Sequence, residues 1–258
     1  MTILTIDIGN SATNFGIFDG QKLVLQFRHT TNINSSSDEI GIFMRSVLRE
    51  NGFDWKKIDR IGCCSVVPSS NYSMASACKK YFEKDALFIQ AGIKTGLKLK
   101  YTNTKEIGAD LIAAAIGAVN LFPDRDLIIV DLGTATTLEL VSSKKEFLGG
   151  AILPGLKISV EALAQKTANL PTVEIARPAN ISGSTTQEAI QTGLYYGHAG
   201  AIKEICDLYQ NQIFKNVKPC IIGTGGFSKI YSDYRLFDEI IPELVLYGVK
   251  CAVQLNAE

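Results

Sequence analysis

An apolar run closed by Asp-x-Gly occurs twice in this chain of 258 residues, at Asp7-Ile8-Gly9-Asn10-Ser11 and at Asp131-Leu132-Gly133-Thr134-Ala135. Ile3-Leu4-Thr5-Ile6 leads into the first copy, and Phe15-Gly16-Ile17-Phe18 resumes the apolar run before a turn at Asp19-Gly20. Leu127-Ile128-Ile129-Val130 leads into the second, and Thr136-Thr137-Leu138-Glu139-Leu140-Val141 continues it. Each copy predicts two strands joined by a tight loop. Because each opens one half of the chain, the pattern predicts two related halves. Gly9 and Gly133 are expected to take positive φ and to let a ligand approach the backbone without a Cβ in the way.

Such a turn suits phosphate. Consecutive backbone amides supply donors to its oxygens, and Asn10, Ser11 and Thr134 can add side-chain donors. The aspartates point the other way, since a carboxylate beside a phosphate repels it unless a cation lies between. Asp7 and Asp131 therefore imply Mg²⁺, a monovalent cation, or both. A single Asp-x-Gly is most simply an ordinary turn. Two copies, with a third strand and glycine turn at Cys220-Ile221-Ile222-Gly223-Thr224-Gly225-Gly226, favour the phosphate reading. Neither GxxxxGK[ST] nor a GxGxxG at the first turn is present, which excludes a P-loop and disfavours a Rossmann dinucleotide site.

Charge narrows the partners. Lys and Arg number 26, as do Asp and Glu, and no basic block interrupts the chain, so nucleic acid and acidic membrane surfaces are poor partners and a small molecule is a better one. Six cysteines lack a CxxC pair and only His29 and His198 could assist them, which argues against zinc. The first strand begins almost at Met1, leaving no room for a cleavable leader, and no apolar stretch reaches the roughly 18 residues of a membrane span. A cytoplasmic protein with reduced thiols is the expectation.

Strands alternate with helical patterns, an α/β arrangement. Ser36 and Glu39 have capping-box spacing before a helix over 40–48. A strand over 58–67 is expected to end at Pro68, with a helix over 74–82 and a short strand over 86–89 following. The alanine-rich run 110–120 predicts a helix that lets a neighbour approach closely. Further helices are expected near 158–164 and 186–209. The boundary between halves is placed at Pro123-Asp124-Arg125-Asp126, giving domains 1–122 and 123–258.

Asp110 falls in the first turn of the alanine-rich helix, where a carboxylate either complements the helix dipole or accepts a proton from an alcohol during phosphoryl transfer. The residues alone leave both open. Thr186 reads as a helix cap or a substrate contact, with capping preferred. His198 and Tyr195-Tyr196 read as packing residues, and Cys63-Cys64 as core.

Taken in order, these segments resemble the type III pantothenate kinases, members of the actin-like, hexokinase-like and Hsp70-like ATPase superfamily. The resemblance runs nearly end to end. It rests on the two aspartate turns, on Lys94-Thr95-Gly96-Leu97 with Tyr101 and Asn103, and on Gly108-Ala109-Asp110. Gly149-Gly150-Ala151-Ile152-Leu153-Pro154-Gly155, Leu170-Pro171 and Thr224-Gly225-Gly226 complete it. It implies two duplicated ribonuclease H-like domains with an ATP cleft between them, and transfer of the γ-phosphate of ATP to pantothenate on the route to coenzyme A. Asp7, Ile8, Gly9, Asn10, Ser11, Ala12, Thr13, Asn14 and Thr134 would bind ATP with its Mg²⁺. Asp131 would hold K⁺ or NH₄⁺, and Asp110 would accept the proton. Tyr101, Gly108, Ala109, Asp110, Leu111 and Thr186 would line the pantothenate pocket, and the protein would be a homodimer.

Two positions depart from the family. Leu111 stands where an arginine follows the Gly-Ala-Asp, and Glu139 where an aspartate is usual. Leu111 removes a permanent charge that could orient Asp110 or anchor a substrate; Lys100 or Lys105 could compensate. The alternatives are a regulatory homologue that keeps the nucleotide cleft without kinase activity, and a kinase of the same superfamily for another small alcohol.

Overall fold

A computed structural model describes residues 1–257 and separates the chain into two compact units. The first comprises residues 1–97, 102–121 and 244–258, and the second residues 98–101 and 122–243.

In the first unit, β1 (Thr2–Ile8), β2 (Ala12–Asp19) and β3 (Lys22–Thr30) form an antiparallel meander. Then follow α1 (Ser37–Glu50), β4 (Arg60–Ser65), α2 (Pro68–Phe82), β5 (Ala86–Phe88) and α3 (Ala109–Leu121). The sheet order is β3-β2-β1-β4-β5, with β4 and β5 parallel to β1. Alternation along β1 sends Leu4, Ile6 and Ile8 into a core with Met44 and Leu48 of α1 and Met74, Ala77 and Phe82 of α2. The capping box forms as predicted: the Ser36 side chain accepts from the Glu39 amide, and the Glu39 carboxylate accepts from the Ser36 amide at 2.7 Å. Pro68 is at the start of α2, earlier than expected, because a proline costs nothing where the first helical amide has no partner. The strand β3 carries mostly exposed residues and so lacks a long apolar run that would announce it in the sequence.

The second unit adds β6 (Lys98–Leu99), β7 (Leu127–Leu132), β8 (Ala135–Val141), β9 (Glu146–Pro154), α4 (Leu156–Lys166), α5 (Thr186–Gln212), β10 (Cys220–Thr224) and β11 (Glu239–Ile240). Its sheet order, β11-β10-β7-β8-β9-β6, repeats the first with one added edge strand. Duplication reaches into detail. A register shift follows Ile17 in one meander and Leu140 in the other, each four residues after the first paired residue beyond its turn, Thr13 or Thr136.

The last helix, α6 (Leu244–Leu255), packs with the first unit, whereas the expected division at 122/123 put it in the second. The reason is steric. A Cβ on Gly117 of α3 would lie 2.7 Å from the Leu244 carbonyl oxygen, and one on Gly248 of α6 only 1.7 Å from that of Ala113. The alanine-rich helix therefore does admit a close neighbour, and α6 is that neighbour.

Candidate functional site

The first turn is built by register. Asp7 lies opposite Asn14 and Ile8 opposite Thr13, so alternation puts the first pair on one face of the sheet and the second pair on the other. The Asp7 carboxylate accepts hydrogen bonds from Asn14 Nδ2 at 3.1 Å and from the Cys64 thiol of β4 at 3.3 Å. Burial pushes its pKa up to about 6 against the pull of those two donors, and the charge of Asp110 adds to the rise. Burial and the neighbouring Asp7 charge push the Cys64 thiol up as well, so it remains an S–H donor. Cys63 joins the apolar core as expected, but Cys64, on the opposite face, serves the carboxylate.

Gly9 donates its amide to Ala12 O at 3.1 Å, and its carbonyl accepts from the Thr31 hydroxyl at 2.7 Å. Contrary to expectation, neither Gly9 nor Gly133 has a positive φ. Gly9 matters through closeness, since a Cβ there would lie 3.1 Å from Ala12 O. Along the span 7–14 the side chains are engaged differently. The Ile8 side chain is in the core, the Thr13 hydroxyl pairs with that of Thr31 at 3.0 Å, and the Asn14 amide holds Asp7. Asn10 and Ser11 are the exposed side chains at the tip.

Asp110 occupies the first turn of α3, where its Oδ1 accepts from the Leu111 amide at 2.8 Å. A Cβ on Gly108 would lie 2.4 Å from that oxygen. Glycine is thus what allows the carboxylate to fold back onto its own helix start. Burial raises the Asp110 pKa, while the helix amides of Leu111 and Asp110 itself pull it down.

In the second unit Asp131 lies opposite Thr137 of β8 and in register with Thr224 of β10. Two glycines clear space around it: a Cβ on Gly133 would lie 3.3 Å from Asp131 Oδ1, and one on Gly225 only 2.2 Å from it. Gly225 also has φ +84°, in the left-handed region. The Gly133 amide donates to Ala135 O at 3.1 Å, leaving Thr134 exposed at the tip. Gly155 lets the β9–α4 junction lie on this turn, since a Cβ there would meet Thr134 O at 2.1 Å. His198, expected only to pack, bonds through Nε2 to Thr136 Oγ1 at 2.9 Å, and burial lowers its pKa. Glu139 is buried and accepts from the Thr137 hydroxyl at 3.0 Å.

Tyr101 is 42% exposed, its ring tilted against Phe147 with centroids 6.4 Å apart. The cap of α5 is Thr185, whose side chain accepts from the Glu188 amide; Thr186, preferred as the cap, is exposed in the first helical turn. Adjacent threonines offer no sequence signal for which is half a residue outside the helix. Gly108, Ala109, Asp110 and Leu111 belong to the first unit, and Tyr101 and Thr186 to the second. Lys100 lies 3.8 Å from Glu146.

Among the described residues no three His, Cys, Asp or Glu side chains converge to cage a metal ion. A cation here would be shared between a protein carboxylate, water and a ligand's phosphates, the usual manner of Mg²⁺. Asp7 and Asp131 are the carboxylates at the two turns.

A family model described as type III pantothenate kinase matches residues 3–208. A type III pantothenate kinase of Legionella pneumophila (strain Corby) is 49% identical over 98% of this chain and 99% of its own. One from Elusimicrobium minutum is 44% identical over 98% of each chain. Among solved structures, a Campylobacter jejuni protein assigned to the Baf family of transcriptional activators superposes with a TM-score of 0.60 at 20% identity, covering 98% of both chains. A Sinorhizobium meliloti protein assigned as a 2-dehydro-3-deoxygalactonokinase gives 0.60 at 11% identity, covering 98% of this chain and 96% of that one. These two show the fold alone, that of the actin-like kinases, and the sequence matches carry the rest: the chain belongs to the type III pantothenate kinase family.

Proposed function

We infer that the chain transfers the γ-phosphate of ATP to the primary alcohol of pantothenate, giving 4'-phosphopantothenate, the first step of coenzyme A biosynthesis. The observation that supports it most is the near full-length match to pantothenate kinases together with the carboxylate of Asp110, fixed by one oxygen and raised in pKa by burial. Phosphoryl transfer asks the protein mainly for positioning and charge stabilisation. Asp110 orients the attacking hydroxyl and takes its proton late, using the oxygen not engaged by Leu111. Its raised pKa makes it a better base than an exposed aspartate.

Asn10, Ser11 and Thr134 contact phosphate oxygens from the turn tips. Asp7, kept in orientation by Asn14 and Cys64, would hold Mg²⁺, and Asp131 would hold K⁺ or NH₄⁺; these ions supply neutralisation of phosphate charge. Tyr101, Gly108, Ala109, Leu111 and Thr186 contact pantothenate. The protein acts as a cytoplasmic homodimer. Incubation with ATP, Mg²⁺ and pantothenate, with K⁺ or Na⁺ as the only monovalent ion, is expected to yield phosphopantothenate faster in K⁺. No product in either would reject the kinase reading in favour of a regulatory one.

A further inference from the structure

A cavity of about 350 Å³ opens on the face of the first sheet opposite Asp7 and Asn14. Ile8 and Phe15 of the sheet, Phe43 of α1 and Met74 of α2 give it an apolar floor, and the volume lies in the range of small-ligand pockets. Its charge is one-sided. Among the described residues lining it, Glu39 is the only carboxylate, and no lysine or arginine is present. Glu39 spends Oε2 on the Ser36 amide at 2.7 Å in the α1 capping box, which leaves Oε1 for a ligand. His29 adds a second acceptor. Its Nδ1 lies 2.8 Å from the Thr30 carbonyl oxygen, which can only accept, so in the neutral ring Nδ1 holds the proton and Nε2 keeps its lone pair. Glu39 and His29 are both exposed and so stand at the mouth. Below them the His29 and Phe43 ring centroids are 4.4 Å apart, and Phe43 lies 6.2 Å from Phe15. A carboxylate and aromatic ring faces both carry negative potential, so this lining favours a cation.

We propose that this cavity is a second binding site, for a small organic cation: a primary amine on a compact apolar body. The ammonium donates to Glu39 Oε1, with His29 Nε2 as a further acceptor, and the apolar body fills the floor over Phe15, Phe43 and Met74. ATP and pantothenate are anions that the same carboxylate repels, so the site is distinct from those of the proposed reaction. Its wall includes Thr31, whose hydroxyl holds the Gly9 carbonyl at 2.7 Å, so the site adjoins the first turn from behind.

The chain has three methionines, Met1, Met44 and Met74, so methyl-labelled methionine gives three NMR probes, one of them in the cavity floor. Benzylamine should shift the Met74 methyl saturably and leave Met1 unmoved. Benzyl alcohol, of like shape without the charge, should bind roughly 5- to 10-fold more weakly, and benzoate more weakly still. Glu39→Gln keeps the capping box, since glutamine at that position also accepts from the Ser36 amide. It should weaken benzylamine about 2- to 5-fold and leave benzyl alcohol unchanged. No saturable benzylamine shift overturns the site. Benzylamine binding no tighter than benzyl alcohol to the unaltered protein overturns the cation assignment, and that comparison needs no variant to fold. An equal effect of Glu39→Gln on both ligands overturns the role of its carboxylate.

Discussion

Asp7 and Asp131 occupy the same place in duplicated sheets, yet their surroundings are made in opposite ways. Around Asp7 the equivalent positions carry donors: Asn14 across the hairpin and Cys64 on the parallel neighbour both bond the carboxylate. Around Asp131 the cross-hairpin residue Thr137 spends its hydroxyl on Glu139, and Thr224 on the parallel neighbour spends its own on Pro242 O at 3.4 Å. Gly133 and Gly225 then clear the space beside the carboxylate. The first copy therefore engages its carboxylate with Asn14 and Cys64, and in the second two glycines lie close beside it. The loops differ too, with four residues between Ile8 and Thr13 but three between Leu132 and Thr136. One fold position thus has two different surroundings, set by a few neighbouring residues.

The sharpest way to break this comparison is to show that the chemistry lies at one of these turns and not at Asp110. Asp110→Asn should lower kcat by about 10²- to 10⁴-fold with little change in the KM for ATP. Near-normal turnover in a steady-state assay would return the proton acceptor to the turns.

Next in size is the stability cost stored at Asp7. Its pKa rises from 3.8 unfolded to about 6 folded, so the folded state binds the proton more tightly. Stability from this group is present below about pH 4 and is lost as pH rises through 6, costing about 3 kcal/mol above that. Asp7→Asn, without nucleotide, should therefore raise Tm at pH 8 and leave it nearly unchanged at pH 4, while impairing catalysis. A Tm gain independent of pH would refute burial as its source.

Gly225→Ala tests the cleared side of the comparison. Its Cβ would press on Asp131 from a left-handed backbone, at a cost of about 1–3 kcal/mol, and K⁺ stimulation should fall with it. Gly20→Ala, also at positive φ but with open space around it, should cost less and leave the K⁺ response intact. Equal K⁺ responses in the two variants would remove the cation from Asp131. Smallest is Leu111→Arg, expected to improve pantothenate saturation by a few fold, about 1 kcal/mol or less. An unchanged saturation curve would mean that Leu111 weakens no anchor.

Local signals in the chain were read well where the interactions are local. Ser36 and Glu39 announce a capping box because its two hydrogen bonds join residues three apart. The reading of Thr186 as the cap failed by one residue, since that choice depends on where the backbone enters the helix. Gly9 and Gly133 belong to turns, as their sequence context indicates, but at ordinary φ: what distinguishes them is a tight fit, with neighbouring oxygens 3.1 and 3.3 Å from where a Cβ would sit. Cys64 was indistinguishable from Cys63 until β4 lay beside β1 and put the two thiols on opposite faces.

By itself the sequence determined the duplicated strand-turn-strand, the carboxylates at Asp7, Asp110 and Asp131, and the family, because these are carried by residue order and short-range periodicity. Only the tertiary structure decided what surrounds each carboxylate and that α6 returns to pack on α3. Those outcomes turn on atoms brought within 2–4 Å from distant parts of the chain, Gly225 to Asp131, Cys64 to Asp7 and Gly248 to Ala113. Such contacts leave no periodic trace along the sequence.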